Sequence, residues 1–196
     1  MRTLILAAMA TSALAAPALA QTAGAPFTGL RIEGVAGYDA LKDGRDSADG
    51  FVYGGAVGYD VQLNNLVVGA EGELTGSTTD TRTDNLLSPG DRLRVGMGRD
   101  LYAGVRAGVP LNPSTLAYAK GGYTNARVET RYDLGTATTR DHTDLEGFRL
   151  GAGLEHQLGA NTYVKGEYRY SHYGRADRYD IDADRHQIVA GVGMRF

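Results

Sequence analysis

In one segment of this chain after another, a row of apolar residues alternates with a row built from glycine and charge. The clearest case closes the chain. Over 186–196, Ile188, Ala190, Val192, Met194 and Phe196 fall on one face of an extended strand. Gln187, Gly191, Gly193 and Arg195 fall on the other, with Val189 the one apolar exception. Successive side chains of a strand point to opposite faces, so period 2 sustained to the last residue is a strand signal. Chain termini ordinarily fray. An apolar row that ends in an aromatic residue suggests instead a final strand tied into a sheet.

The same alternation predicts eight strands. The first lies over 27–41, with Leu30, Ile32, Ala36 and Tyr38 opposing Arg31, Glu33, Val35 and Asp39. The second lies over 51–61, where Phe51, Tyr53, Val57, Tyr59 and Val61 alternate with small residues and Asp60. The third, 66–75, sets Val68, Ala70 and Leu74 against Glu71, Glu73 and Thr75. The fourth lies within 93–109, with Leu101, Ala103, Val105, Ala107 and Val109 against Tyr102 and Arg106. The fifth, 116–129, has small and apolar residues on both faces, so its register stays open. The sixth, seventh and eighth fall at 147–158, 162–173 and 186–196. Short connections at 62–65, 110–114 and 158–161 carry Asn, Pro and Gly, which suit tight turns. Long polar connections fall at 42–49, 76–92, 130–143 and 174–184. Tight turns at one end and long loops at the other describe an up-and-down meander.

The composition of the second row decides what the sheet encloses. It holds Gly37, Gly58, Gly69, Gly104, Gly151, Gly153, Gly191 and Gly193 beside charges of both signs. A soluble core is not made of glycine, glutamate and arginine. The interior of a small barrel is filled by side chains, and glycine beside long charged chains can fill it. The reading is therefore all-β: an eight-stranded antiparallel up-and-down transmembrane β-barrel with its apolar rows toward lipid. Its lumen charges are Arg31, Glu33, Glu71, Glu73, Arg106, Lys120, Arg149, Glu155, Lys165, Glu167, Arg169 and Arg195. Both signs are present, so they are expected to pair and form a plug, because unpaired buried charge is costly. Tyr38, Tyr53, Tyr59, Tyr102, Tyr118, Tyr163, Tyr170 and Tyr173 sit near strand ends and are expected to form aromatic girdles at the membrane interfaces.

Residues 1–20 read as a secretory signal. Arg2 precedes the apolar stretch 4–14, and Ala18-Leu19-Ala20 is an A-x-A cleavage site with Gln21 the first mature residue. Residues 21–196 then form one barrel domain. The chain has no cysteine, which excludes disulfides and thiolate chemistry, and its formal net charge of −3 offers no basic field for nucleic acid.

No catalytic, cofactor or metal site is expected. Ser171 and His172 are adjacent and point to opposite faces, so they form no dyad within the strand. His156, His172 and His186 are placed on the outer face without a serine partner. Asp180-x-Asp182-x-Asp184 begins like a calcium loop but lacks the glycine and the closing glutamate of one. Gly-x-Gly at 151–153 and 191–193 has no following helix, so it is barrel packing rather than a phosphate cradle.

Four runs give the pattern a family likeness: Ala117-Tyr118-Ala119-Lys120-Gly121-Gly122-Tyr123, Gly151-Ala152-Gly153-Leu154-Glu155, Lys165-Gly166-Glu167-Tyr168-Arg169-Tyr170 and, in the closing strand, Ala190-Gly191-Val192-Gly193-Met194-Arg195-Phe196. Together with Gly58-Tyr59-Asp60 and Val68-Gly69-Ala70-Glu71-Gly72, they resemble small eight-stranded outer-membrane proteins of the OmpX/Ail and Omp25/Omp31 type. Met194 departs from that pattern, standing where an aromatic residue is frequent. The resemblance implies a monomer in the outer membrane of a Gram-negative bacterium, with long loops outside and both termini in the periplasm. It implies that Ile188, Ala190, Val192, Met194 and Phe196 are read by the barrel-assembly machinery. The expected partners are outer-membrane lipid, lipopolysaccharide and a surface ligand. A structural and surface-interaction role is expected, with a narrow passive pore as the alternative and lipid A modification behind both.

Overall fold

The computed structural model describes residues 25–43, 46–78, 80–84, 92–133, 138–176 and 183–196. The cleavage residues Ala18, Ala20 and Gln21 lie outside them, as do Asp180 and Asp182. The strands are β1 (Gly29–Asp43), β2 (Asp46–Leu63), β3 (Leu66–Ser77), β4 (Asp80–Asp84), β5 (Arg92–Asn112), β6 (Thr115–Asp133), β7 (Thr138–Gln157), β8 (Thr162–Ala176) and β9 (Ala183–Arg195). Each of β1, β2, β3, β5, β6, β7, β8 and β9 pairs antiparallel with two neighbours, and β9 returns to β1. The sheet is thus a closed barrel of eight wall strands. Closure removes the unpaired edge that lipid will not tolerate. The short β4 continues β3 against the same partner, β5, after a one-residue slip between Gly76↔Arg99 and Asp80↔Gly96.

Alternation assigns every wall strand an inside and an outside. Arg31, Glu33, Val35 and Asp39 of β1 are buried, while Leu30, Ile32 and Tyr38 are exposed. In β6 the open register is resolved. Leu116, Tyr118, Lys120 and Thr124 point inward and are buried, whereas Ala119 and Tyr123 face out. The usual size order is inverted there, with the larger residues inside.

Two expectations are corrected. The long connections are not free loops over their whole length. Lys42 pairs with Ser47, Glu129 with His142 and Asp133 with Thr138, so ladder continues far beyond the apolar band. In water both faces of a strand are wetted, so no apolar row marks it in the sequence. Second, Tyr102, Tyr118, Tyr163 and Tyr173 belong to the lumen, with exposures of 0–5%. A tyrosine has an apolar ring and a polar tip, which suits a polar lumen as well as a headgroup layer. Tyr38 and Tyr53 do face outward, 49% and 57% exposed.

At the tight-turn end, Asn64 takes a positive φ of 54°, which asparagine tolerates better than most residues. Ser114 N–H donates to the Asn112 side chain at 2.9 Å. The segment before β1 folds under the barrel. The Gln157 side chain donates to Pro26 O at 2.8 Å, and Phe27 N–H donates to Gln62 Oε1 at 3.2 Å. Gly29 has φ +133°, and a side chain there would run into the carbonyl of Phe196, so glycine lets the two chain ends meet.

Candidate functional site

The lumen is the candidate site. Among the described residues it buries eight cationic side chains (Arg31, Arg106, Lys120, Arg149, Lys165, Arg169, Arg185, Arg195) and eight anionic ones (Glu33, Asp39, Asp60, Glu71, Glu73, Asp100, Glu155, Glu167). All twelve lumen charges read from the sequence are buried there. Asp39 and Asp60 were visible on the glycine-rich face but stood outside that set. Asp100 and Arg185 were missed: Asp100 lies beside a bulge that shifts the alternation, and Arg185 reads as part of an acidic loop.

The charges are tiered along the barrel axis. Nearest the tight turns, Asp60 accepts from Arg31 Nε (3.1 Å), Arg106 Nε (2.9 Å) and Arg195 Nη2 (2.9 Å). Glu155 accepts from Arg106 (3.0 Å) and Arg195 (2.7 Å). In the middle, Glu71 holds Arg31 and Lys120. Glu33 takes Lys165 and the Tyr163 hydroxyl. Glu167 meets Lys120, Arg169 and the Tyr118 hydroxyl. Glu73 receives a two-pronged grip from Arg169 at 2.6 and 2.7 Å. Nearest the long hairpins, Asp100 joins Arg149, Arg185 and the Thr124 hydroxyl, and Asp39 joins Arg185 and the Ser77 hydroxyl. Two-pronged guanidinium–carboxylate contacts are among the strongest side-chain hydrogen bonds.

Apolar residues close the stack. Phe27, Val67 and Leu116 cluster below it, while Ala126, Leu145, Tyr173 and Ala183 cluster above. The apolar exception in the last strand, Val189, packs against Val35 and Val52.

The glycines of the inner face make this filling possible. Lys120 stands directly across from Gly151, Lys165 from Gly191, Tyr118 from Gly153 and Tyr163 from Gly193. A Cβ on Gly193 would fall 2.5 Å from the Tyr163 ring, and one on Gly153 2.8 Å from the Tyr118 hydroxyl. Each long side chain lies across the space its cross-strand glycine leaves open.

Outside, the apolar band gives way to polar pairs near the hairpin end. The Arg127 guanidinium grips Asp144, and Asp184 accepts from the Tyr170 hydroxyl at 2.7 Å and lies 3.0 Å from His172 Nδ1. The Tyr168 hydroxyl meets His186 Nδ1 at 2.7 Å. Ser171 is buried in the lumen against Arg149, on the face opposite His172. His156 meets Thr115 at the other rim. Among the described residues, no group of three or more His, Cys, Asp or Glu side chains is arranged to hold a metal ion.

Known proteins share both sequence and architecture. The chain is 29% identical to the 31 kDa outer-membrane immunogenic protein of Brucella melitensis, over 76% of this chain and 68% of that protein. It is 27% identical to a 22 kDa outer membrane protein of Rhizobium leguminosarum, over 87% and 78%. In fold it is similar to the neisserial surface protein A (TM-score 0.58, 18% identity, 86% of this chain and 98% of that one). It is also similar to Ail, the attachment invasion locus protein of Yersinia pestis (TM-score 0.57, 17% identity, 87% and 100%). The Brucella and Rhizobium relatives are outer-membrane proteins by name, and the closed eight-stranded barrel with its apolar outer wall places this chain in the outer membrane of a Gram-negative bacterium. The model of the outer membrane protein β-barrel domain matches residues 6–196, and this chain belongs to that family.

Proposed function

We propose that this protein is a plugged membrane anchor with a structural and surface-interaction role. It presents four β-hairpins outside the cell while both chain ends stay on the periplasmic side. One observation carries the reading: among the described residues, eight cations and eight anions pair with one another in the lumen, between apolar clusters toward both ends. A permeant ion would have to break contacts that lose their solvation if opened. The Brucella relatives bear the name immunogenic, which supports exposure of the hairpins. Lipopolysaccharide around the wall, a surface ligand at the hairpins and the assembly machinery during insertion are the partners proposed. Ser171 turns into the lumen against Arg149 while its neighbour His172 faces outward toward Asp184, so these two residues give lipid A modification no nucleophile–base pair.

Single-channel recording on the refolded mature chain in a planar bilayer tests this. A silent wild type is expected. Reproducible steps that change when Glu71 and Arg106 are neutralised (E71Q/R106Q) would overturn it in favour of a narrow passive pore. That second reading is favoured by the Tyr102 hydroxyl, Arg31 Nη1 and Arg106 Nη1, which are buried without a hydrogen-bond partner among the described residues. Such atoms ordinarily bind ordered water.

A further inference from the structure

On the outer wall, where the apolar rows give way to polar pairs, one arginine has no acid partner among the described residues. Every other lysine and arginine side chain described reaches at least one carboxylate. Arg99 of β5 has no such partner among the described residues. It lies opposite Gly76 of β3 and two residues from Leu101, which is 41% exposed on the lipid side.

The backbone is built irregularly at this point. Gly98 and Arg99 stand together opposite the single residue Arg127 of β6, a one-residue bulge. The slip between β3 and β4 falls at the same height, against the same strand. Bulges re-aim side chains and are enriched beside functional sites.

Arg99 edges a shallow concavity of about 520 Å³ that also takes in Tyr53, Gly55, Leu74 and Gly76. The Tyr53 ring lies over Gly76, where a Cβ would sit 3.5 Å from it. Tyr53 and Leu74 are more than half exposed. The facing residues of β2 and β3 are uncharged, and across the bulge stands a second guanidinium, Arg127, paired with Asp144. The patch therefore joins a cation with no acid partner among the described residues to an aromatic and an aliphatic wall, at the height where the outer wall turns from apolar rows to polar pairs. Its chemistry matches a lipid whose phosphate lies above its acyl chains.

We propose that Arg99 anchors the phosphate of an outer-leaflet glycolipid of the lipid A class, whose acyl chains run down the wall past Leu74. The inference rests on the orientation proposed above, which puts the hairpin end in the outer leaflet. The test is native mass spectrometry of the refolded mature chain in neutral detergent. The chain is offered in turn bis-phosphorylated lipid A, phosphate-free lipid A and phosphatidylglycerol. Wild type is expected to retain the bis-phosphorylated form best. R99Q should weaken that retention about fivefold, the worth of one basic residue at a lipid surface. R99K keeps the charge and should restore most of it. A heat-dependent gel shift verifies that each variant is folded. Equal retention by R99Q, or equal retention of phosphate-free lipid A or of phosphatidylglycerol by wild type, would overturn the proposal. Conductance steps from wild type would overturn the plugged reading and leave this result standing.

Discussion

Asp60 shows how the lumen is held at the scale of single residues. Three guanidiniums, from Arg31, Arg106 and Arg195, converge on its one carboxylate. D60N keeps the shape and removes the charge, leaving three buried cations short of an anion. Breaking a buried pair by removing one partner costs about 3–5 kcal/mol, and a loss of that size is expected in the urea unfolding of vesicle-inserted protein. Adding R195Q to D60N should recover part of the loss, because it withdraws one stranded cation. A D60N barrel within about 1 kcal/mol of wild type would show that water, rather than Asp60, solvates these arginines. Steric fit is as local as charge. A methyl group on Gly193 meets the Tyr163 ring, whose hydroxyl donates to Glu33 at 2.8 Å. G193A should destabilise the barrel by about 1–3 kcal/mol, the usual cost of overpacking, in the same unfolding assay.

Strands separate what the sequence could reveal from what it could not. Within the membrane, one face of every strand meets lipid and the other meets the charged lumen, so an apolar row stands out and eight strands can be read. Strand β6 resisted because it sets Leu116 and Tyr118 inside and Ala117 and Ala119 outside, inverting the size contrast on which the reading depends. Beyond the membrane the contrast disappears, so the hairpin ladders look like polar loops in the sequence. If that ladder lies above the membrane, the barrel does not need it. Replacing 129–142, the end of the β6–β7 hairpin beyond the Val128↔Thr143 pair, with Asn-Gly should leave the heat-dependent gel shift intact. Collapse of that shift would place those residues in the folding core. The last strand carries a different expectation. Phe196 is 54% exposed on the outer wall and ties to β1 through its backbone, its N–H donating to Leu30 O at 2.8 Å. F196A should therefore refold in vitro with stability changed by less than about 1 kcal/mol. In cells the same variant should reach the outer membrane poorly, if the assembly machinery reads this terminus. Equal membrane levels of F196A and wild type would remove Phe196 from that role.

Across the whole molecule, the polarity of an ordinary globule is reversed, with charge inside and apolar side chains outside. That inversion is stable only while lipid surrounds the wall, and the cost of placing charge on it should vary with depth. Val105 is 65% exposed midway along the outward row of β5, between Leu101 and Val109, whereas Leu63 is 55% exposed beside the tight turn that follows β2. In a bilayer, arginine at mid-depth costs about 2–4 kcal/mol and near an interface about 0–1 kcal/mol. V105R should therefore lose several times more stability than L63R when both are unfolded by urea from phosphatidylcholine vesicles. On the surface of a water-soluble barrel, both substitutions would fall within about 0.5 kcal/mol of wild type. Stepping the same substitution through Leu101, Val105, Val109 and Leu111 would trace the thickness of the membrane on this one strand. The cost should fall toward both ends. If it stays high at Leu101, the apolar band reaches past Arg99. That arginine would then lie in hydrocarbon rather than among headgroups, so the depth profile also locates the phosphate site.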